Sequence, residues 1–194
     1  GTDPSLSNKP IAGFIGVEIR TKVMRYPLAI SLLERMLCFL WIASQTEDFK
    51  TNDFCGLHLN ISEKSITGNK QIDFYANVLL NFDEMMVLKT FNRVGNKYCL
   101  PFFKNGEISR TLASIKEEYS LCKQREKAAK PDSRASRESK YFSVSLRDSP
   151  VHEEYHGEQR KNERIEFRCI GNTDYHLRLE ELNTTITHML NCVK

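Results

Sequence analysis

Three charged residues recur on alternate positions late in the chain: Arg164, Glu166 and Arg168, in the run ERIEFRCI. A period of two puts all three on one face of a β-strand and Ile165, Phe167 and Cys169 on the other. Charges on a sheet face cost desolvation unless they pair or meet a ligand. Two arrangements meet that cost. One is a salt-bridge ladder across a solvent-facing sheet. The other is a site in which Glu166 and an earlier acidic residue, Glu18, hold Mg²⁺ while the arginines hold phosphate or carboxylate. Mg²⁺ takes carboxylate oxygens and substrate phosphates, and the guanidinium fork matches both anions. Two further runs supply polar residues with the same period. In CGLHLNIS (Cys55–Ser62), His58 and Asn60 oppose Leu57, Leu59 and Ile61. In YFSVSLRD (Tyr141–Asp148), Ser143, Ser145 and Arg147 oppose Phe142, Val144 and Leu146. His58 reads either as a structural histidine or as a contact to ligand.

Other chemistries lack their residues. The chain has no G-x-x-x-x-G-K-[ST], G-x-S-x-G, G-x-G-x-x-G or H-E-x-x-H. His152 and His156 in HEEYH stand four apart, a metal pair on a helix, but Pro150 and Gly157 bracket them in a hydrophilic stretch that reads as a loop. The six cysteines are scattered without C-x-x-C, which disfavours zinc ribbons and dithiol redox motifs. Cys38, Cys169 and Cys192 lie in apolar runs and read as reduced, buried thiols, which points to a cytoplasmic setting.

The elements that must position these residues can be read coarsely. GFIGVEIR (Gly13–Arg20) reads as a short, largely buried strand carrying Glu18. Leu28 to Ala43 is apolar on nearly every side, the pattern of a buried helix, with Pro27 at its start. Gln71–Asn81 reads as a strand or an irregular crossing segment. Asp83–Arg93 reads as a helix with acidic residues in its first turn. About Tyr175–Val193, an apolar stripe at Leu179, Leu182, Ile186, Met189, Leu190 and Val193 predicts a closing helix. The sum is an α+β fold: an antiparallel sheet with one face covered by helices and one polar, open face gathering Glu18, His58, Asn60, Ser143, Arg147, Arg164, Glu166 and Arg168.

Composition bounds the rest. The chain has 194 residues, enough for one domain with its own core. Residues 1–10 read as a polar arm and 11–194 as the domain. Its 28 basic and 25 acidic residues leave a net +3, too balanced to imply nucleic acid or membrane by itself. The basic residues concentrate at 123–140, with seven basic against three acidic and no aromatic side chain. That segment reads as a mobile loop: a solvated one, or a lid over an anionic substrate. Nucleic acid is disfavoured because no aromatics interleave with the charges. No apolar run approaches the roughly 20 residues of a membrane span. The chain does not begin with methionine, and this reading expects a processed fragment.

The order of GVEI, an apolar helix, CGLHLNIS, YFSVSL, ERIEFRCIGNTDY and a closing helix resembles the amidoligase family of the glutamine synthetase and glutamate–cysteine ligase superfamily. The resemblance covers roughly 13–62 and 141–193. It implies a glutamine synthetase-like core and ATP-dependent joining of a small-molecule or peptide carboxylate to an amine through an acyl phosphate. It further implies Mg²⁺ on Glu18 and Glu166, His58 near the nucleotide phosphates, and Arg164 and Arg168 as catalytic arginines on phosphate or substrate carboxylate; Asn60 and Arg147, on the same polar face, join His58 as candidate nucleotide contacts. The family's first strand, with its E-x-E pair, has no counterpart before Ile11, and Asn60 stands where many members carry a second histidine. Two outcomes follow from that departure. An N-terminal companion fragment completes the site, or the chain is a non-catalytic phage virion or assembly protein that contacts other virion chains.

Overall fold

The computed structural model describes residues 26–46, 50–62, 69–104, 108–131, 133, 135–147 and 164–193. The strand expected at Gly13–Arg20, with Glu18, and the HEEYH run lie outside these residues.

The described chain is a mixed helix and strand fold. Helix α1 (Tyr26–Ser44) is followed by β1 (Gly56–Ile61), α2 (Asn69–Asn81), α3 (Glu84–Thr90) and α4 (Leu112–Ala128). A 3₁₀ segment (Ala135–Tyr141) leads into β2 (Val144–Arg147) and β3 (Arg164–Gly171), and a short 3₁₀ turn (Tyr175–Leu177) precedes α5 (Leu179–Cys192). The three strands form an antiparallel sheet in the order β1-β3-β2. Its central strand comes last in sequence, so β3 slots between two strands already laid down. The fold class is therefore α+β.

Helix α2 overturns the reading of Gln71–Asn81 as a strand. Ile72 and Phe74 mimic a period of two, but the fully buried side chains are Tyr75, Val78, Leu79 and Phe82, at helical spacing. Asn77 and Asn81 also donate to the carbonyls four residues back, Asp73 and Asn77. Helix α3 starts where Asp83 accepts from the Met86 N–H at 3.0 Å, and α4 starts on a reciprocal Thr111–Ser114 capping box. Helix α5 follows its predicted stripe from Leu182 to Leu190, burying Leu182, Thr185, Ile186, Met189 and Leu190, whereas Leu179 in its first turn is exposed.

The core lies between the helices and one sheet face. Phe82 meets Phe167 of β3 edge-on at 5.2 Å between ring centroids. Phe102 meets Phe103 and Phe142, each at 5.3 Å. The Tyr75 hydroxyl donates to the Val144 carbonyl at 2.9 Å, tying α2 to β2. Offset and edge-on ring contacts of this kind add to the burial of large apolar area.

Helix α1 departs from its reading as a buried helix. Leu40 is buried and Leu33 and Leu37 pack at the edge of the core, but Leu28, Phe39 and Ile42 are 64%, 61% and 61% exposed. Composition makes a helix apolar all round. Only a partner buries all of it, and α1 packs mainly on the short 3₁₀ turn at Tyr175–Leu177. Cys38, on the same helix, is exposed and Cys192 half-buried, whereas Cys169 is fully buried. All six cysteines are free.

The basic segment 123–140 also differs from the loop read in the sequence. Its first six residues complete α4 and its last six lie in the 3₁₀ segment. Glu126 accepts from the Ser139 N–H at 2.5 Å and pairs with Lys123 at 2.8 Å, pinning the 3₁₀ segment to α4. Among the described residues no helix is long and apolar enough to cross a membrane.

Candidate functional site: an arginine cluster on the sheet

The polar face of the sheet centres on Glu166. Register places Asn60 of β1 and Ser145 of β2 beside it on either side. Arg147 donates from Nε to Glu166 Oε2 at 2.5 Å, and Arg168 donates from Nη1 to the same oxygen at 3.3 Å. Ser145 Oγ lies 3.5 Å from it. The other oxygen, Oε1, faces His58 Nδ1 at 3.4 Å. Burial pushes the Glu166 carboxyl up, but the His58 hydrogen bond and the guanidinium groups of Arg147 and Arg168 outweigh it and hold the group well below the usual carboxylate range. Glu166 is therefore ionised throughout the neutral range.

A β-bulge shapes the site. Leu57 pairs with Ile170 and Leu59 with Phe167, so Arg168 and Cys169 of β3 together oppose the single residue His58. Bulges bend a strand and re-aim its side chains. Here Arg168 remains beside Glu166 while both faces of β3 stay covered: every residue from Ile165 to Gly171 is buried. That corrects the expectation of an open polar face. Ser143, Ser145, Glu166 and Arg168 are buried, Arg147 and Arg164 are half-buried, and His58 and Asn60 on the edge strand are exposed. The physical reason is mutual compensation: opposite charges packed in the plane of the sheet satisfy one another and do not need bulk water.

Compensation is incomplete. Arg147 and Arg164 stand directly opposite each other across β2 and β3. Like charges in that position repel, and Glu166 bonds only one of the two. The Nε atoms of Arg164 and Arg168 are buried without a hydrogen-bond partner. A buried, unsatisfied charged donor is costly, and such atoms call for a ligand or ion.

The sequence-derived residues therefore separate. The fold brings His58, Arg147 and Arg168 onto Glu166 and sets Arg164 beside Arg147. Asn60 is the neighbour of Glu166 in register, exposed on the rim. Glu18 lies outside the described residues. Among the described residues no group of three or more His, Cys, Asp or Glu is placed to hold a metal ion. Glu166 Oε2 accepts from Arg147 and Arg168, and Oε1 faces His58.

Two buried charges escaped the sequence reading. Glu84, fully buried at the start of α3, accepts from the N–H groups of Phe102 and Phe103 at 2.8 and 3.1 Å and from the Ser143 hydroxyl. Burial raises its carboxyl pKa, against these three hydrogen bonds. Arg93, 2% exposed, donates from Nη1 to the Ile170 carbonyl at 2.9 Å and anchors the end of β3. Glu84 sits in the first helical turn, where an acidic residue is ordinarily a solvated partner of the helix dipole. Nothing local signals its burial.

No family model matches the chain, and no curated protein or solved structure matches it either.

Proposed function

We propose that the chain is an ATP-dependent carboxylate–amine ligase-like domain whose sheet face receives an anionic group. The observation that supports this reading is the pairing of Arg147 and Arg168 with the single carboxylate of Glu166, with Arg164 opposite Arg147 and the buried Nε atoms of Arg164 and Arg168 unpartnered. Preorganised cationic donors in a water-poor setting stabilise charge as it develops on a phosphoryl or acyl oxygen. On this reading Arg164 and Arg168 hold the phosphate or the substrate carboxylate. Glu166 orients Arg147 and Arg168, and His58 and Asn60 border the mouth of the site.

The reaction has two steps. A carboxylate oxygen attacks the γ-phosphorus of ATP and ADP leaves, forming an acyl phosphate. The amine then attacks the acyl carbon, phosphate leaves, and the nitrogen gives up a proton to form the amide. Mg²⁺ enters with the nucleotide phosphates, and no step is assigned to it. The test is thermal unfolding with millimolar Mg-ATP, together with phosphate release in the presence of candidate carboxylates and amines. Ligand at 100 times its Kd stabilises by about 2.7 kcal/mol, a rise of roughly 5–10 °C for a domain of this size. No shift and no phosphate release refute the reading.

A second reading, a non-catalytic phage virion or assembly protein, is favoured by the apolar surface of α1, where Leu28, Phe39 and Ile42 are exposed. It predicts concentration-dependent association that Phe39→Ser and Ile42→Ser abolish, and no response to nucleotide. The first reading sets the protein to work in the cytoplasm, the second in a virion.

A further inference from the structure

Helix α1 carries two seams. Leu33, Leu37 and Leu40 face the core: Leu40 is buried and the other two pack at its edge. On the opposite side, Leu28, Ser31, Arg35, Cys38 and Ile42 recur at alternating spacings of three and four. That is the repeat by which one helix lies along another. Leu28 and Ile42 are 64% and 61% exposed. Arg35 and Cys38 are exposed too, and Ser31 is half-buried. Phe39 and Glu34, both exposed, flank this outer seam.

The outer seam is self-complementary about Glu34 and Arg35. Adjacent residues on a helix do not face one another, so these two charges do not pair within α1. Turn a second copy about a two-fold axis at that point, with the helices antiparallel. Leu28 of one copy then meets Ile42 of the other. Small Ser31 meets Cys38 and Phe39, and Glu34 meets Arg35. Each contact occurs twice, as an isologous interface requires. Parallel pairing would instead set Glu34 against Glu34 and Arg35 against Arg35, which repel. The outer seam holds one charge of each sign, so it offers no net attraction to an acidic or a basic partner.

We infer that the outer face of α1 is an antiparallel interface with a second copy of this chain, centred on reciprocal Glu34–Arg35 pairs. The inference rests on the association that the second reading predicts, and adds the partner's identity and orientation. It is independent of the ligase reading. Leu28, Phe39 and Ile42 expose roughly 400 Å² of apolar surface per copy. A standard stable interface buries about 800 Å² per partner, so the dimer is a weak one that dissociates on dilution.

The test is sedimentation velocity on the full chain over a dilution series, with Glu34→Arg, Arg35→Glu and their equimolar mixture. Both substitutions are at exposed positions, and circular dichroism checks that each variant is folded. Wild type is expected to show a monomer–dimer equilibrium. Each single variant sets like charges across the two-fold axis and should dimerise at least about tenfold more weakly. The mixture sets opposite charges at every central position and should dimerise at least as strongly as wild type. Alkylation of Cys38 should be fast in dilute protein and slow as the dimer fills. A wild type that stays monomeric overturns both this inference and the association of the second reading. A dimer that the charge variants leave unchanged, or that their mixture does not restore, overturns the antiparallel pairing and leaves association through Phe39 and Ile42 standing. A Cys38 alkylation rate that does not fall as the dimer forms places the interface elsewhere and overturns the inference.

Discussion

Replacing Glu166 by glutamine removes the one negative charge from a cluster of cations while keeping its shape. The side chains of Glu166 and Arg168 are 7% and 10% exposed, and Arg147 is 23% exposed. Removing one partner from a buried pair costs about 3–5 kcal/mol, because the other charge stays buried and unmatched. Glutamine retains one acceptor oxygen and Arg147 keeps partial access to water, so Glu166→Gln should cost about 3 kcal/mol at pH 7. For a domain of this length that is a fall in Tm of roughly 6–12 °C. The pH dependence is sharper still. The folded-state pKa of Glu166 lies below its unfolded value, so the stability it contributes is fully present above the unfolded pKa of about 4.3. It is lost as pH falls toward the folded pKa, at about 1.4 kcal/mol per unit. Thermal unfolding of wild type and Glu166→Gln followed from pH 7 to pH 3 should therefore give a constant gap down to about pH 5 that narrows by more than 1 kcal/mol, roughly, at pH 3. Other carboxyls, Glu84 included, titrate in both proteins and cancel in the gap. A Tm at pH 7 within 2 °C or so of wild type, or a gap that does not narrow in acid, refutes the claim that Glu166 holds the arginines together.

Other buried features predict other outcomes. Glu84→Ala strands two main-chain N–H donors and a serine hydroxyl in a buried site; it should cost roughly 3 kcal/mol, read as a lower urea midpoint, and an unchanged midpoint counts against that hydrogen-bond set. Gly171→Ala would drive a Cβ into the Cys55 carbonyl and the Arg93 guanidinium; a loss of about 2 kcal/mol or more is expected, and wild-type stability would show that this end of the sheet can shift to make room. Iodoacetamide at pH 8 should label exposed Cys38 first by mass spectrometry. Burial pushes the thiols of Cys99 and Cys122 up to about 11 and that of Cys169 well above its ordinary value, so these three should react only on unfolding.

How much of this was legible depended on the range of the signal. The period of two in β2 and β3 placed Ser145, Arg147, Glu166 and Arg168 on one strand face, since a strand alternates whatever surrounds it. The stripe of α5 and the turn after Gly171 were legible for the same reason. The reading of α2 failed because Ile72 and Phe74 satisfy two periods at once, and only the packing of Tyr75, Val78, Leu79 and Phe82 against the sheet distinguishes them. The β3 bulge was invisible, because no residue type marks it. Yet it decides that Arg168 and Cys169 share one cross-strand neighbour, His58.

Sequence by itself determined which residues carry charge at strand spacing, that those charges share a face, and that the chain is a mixture of helix and strand. These are properties of the backbone's own geometry and survive any tertiary arrangement. Tertiary structure decided the rest: that the polar face is buried at its centre and not open, that Glu166 is held by arginines, that Glu84 and Arg93 are interior, that α1 keeps an exposed apolar face, and that residues 123–128 and 135–140 of the basic run are helical and pinned together through Glu126. Each of these depends on what lies opposite a residue from a distant part of the chain, and burial and charge compensation are properties of that meeting and not of either segment alone.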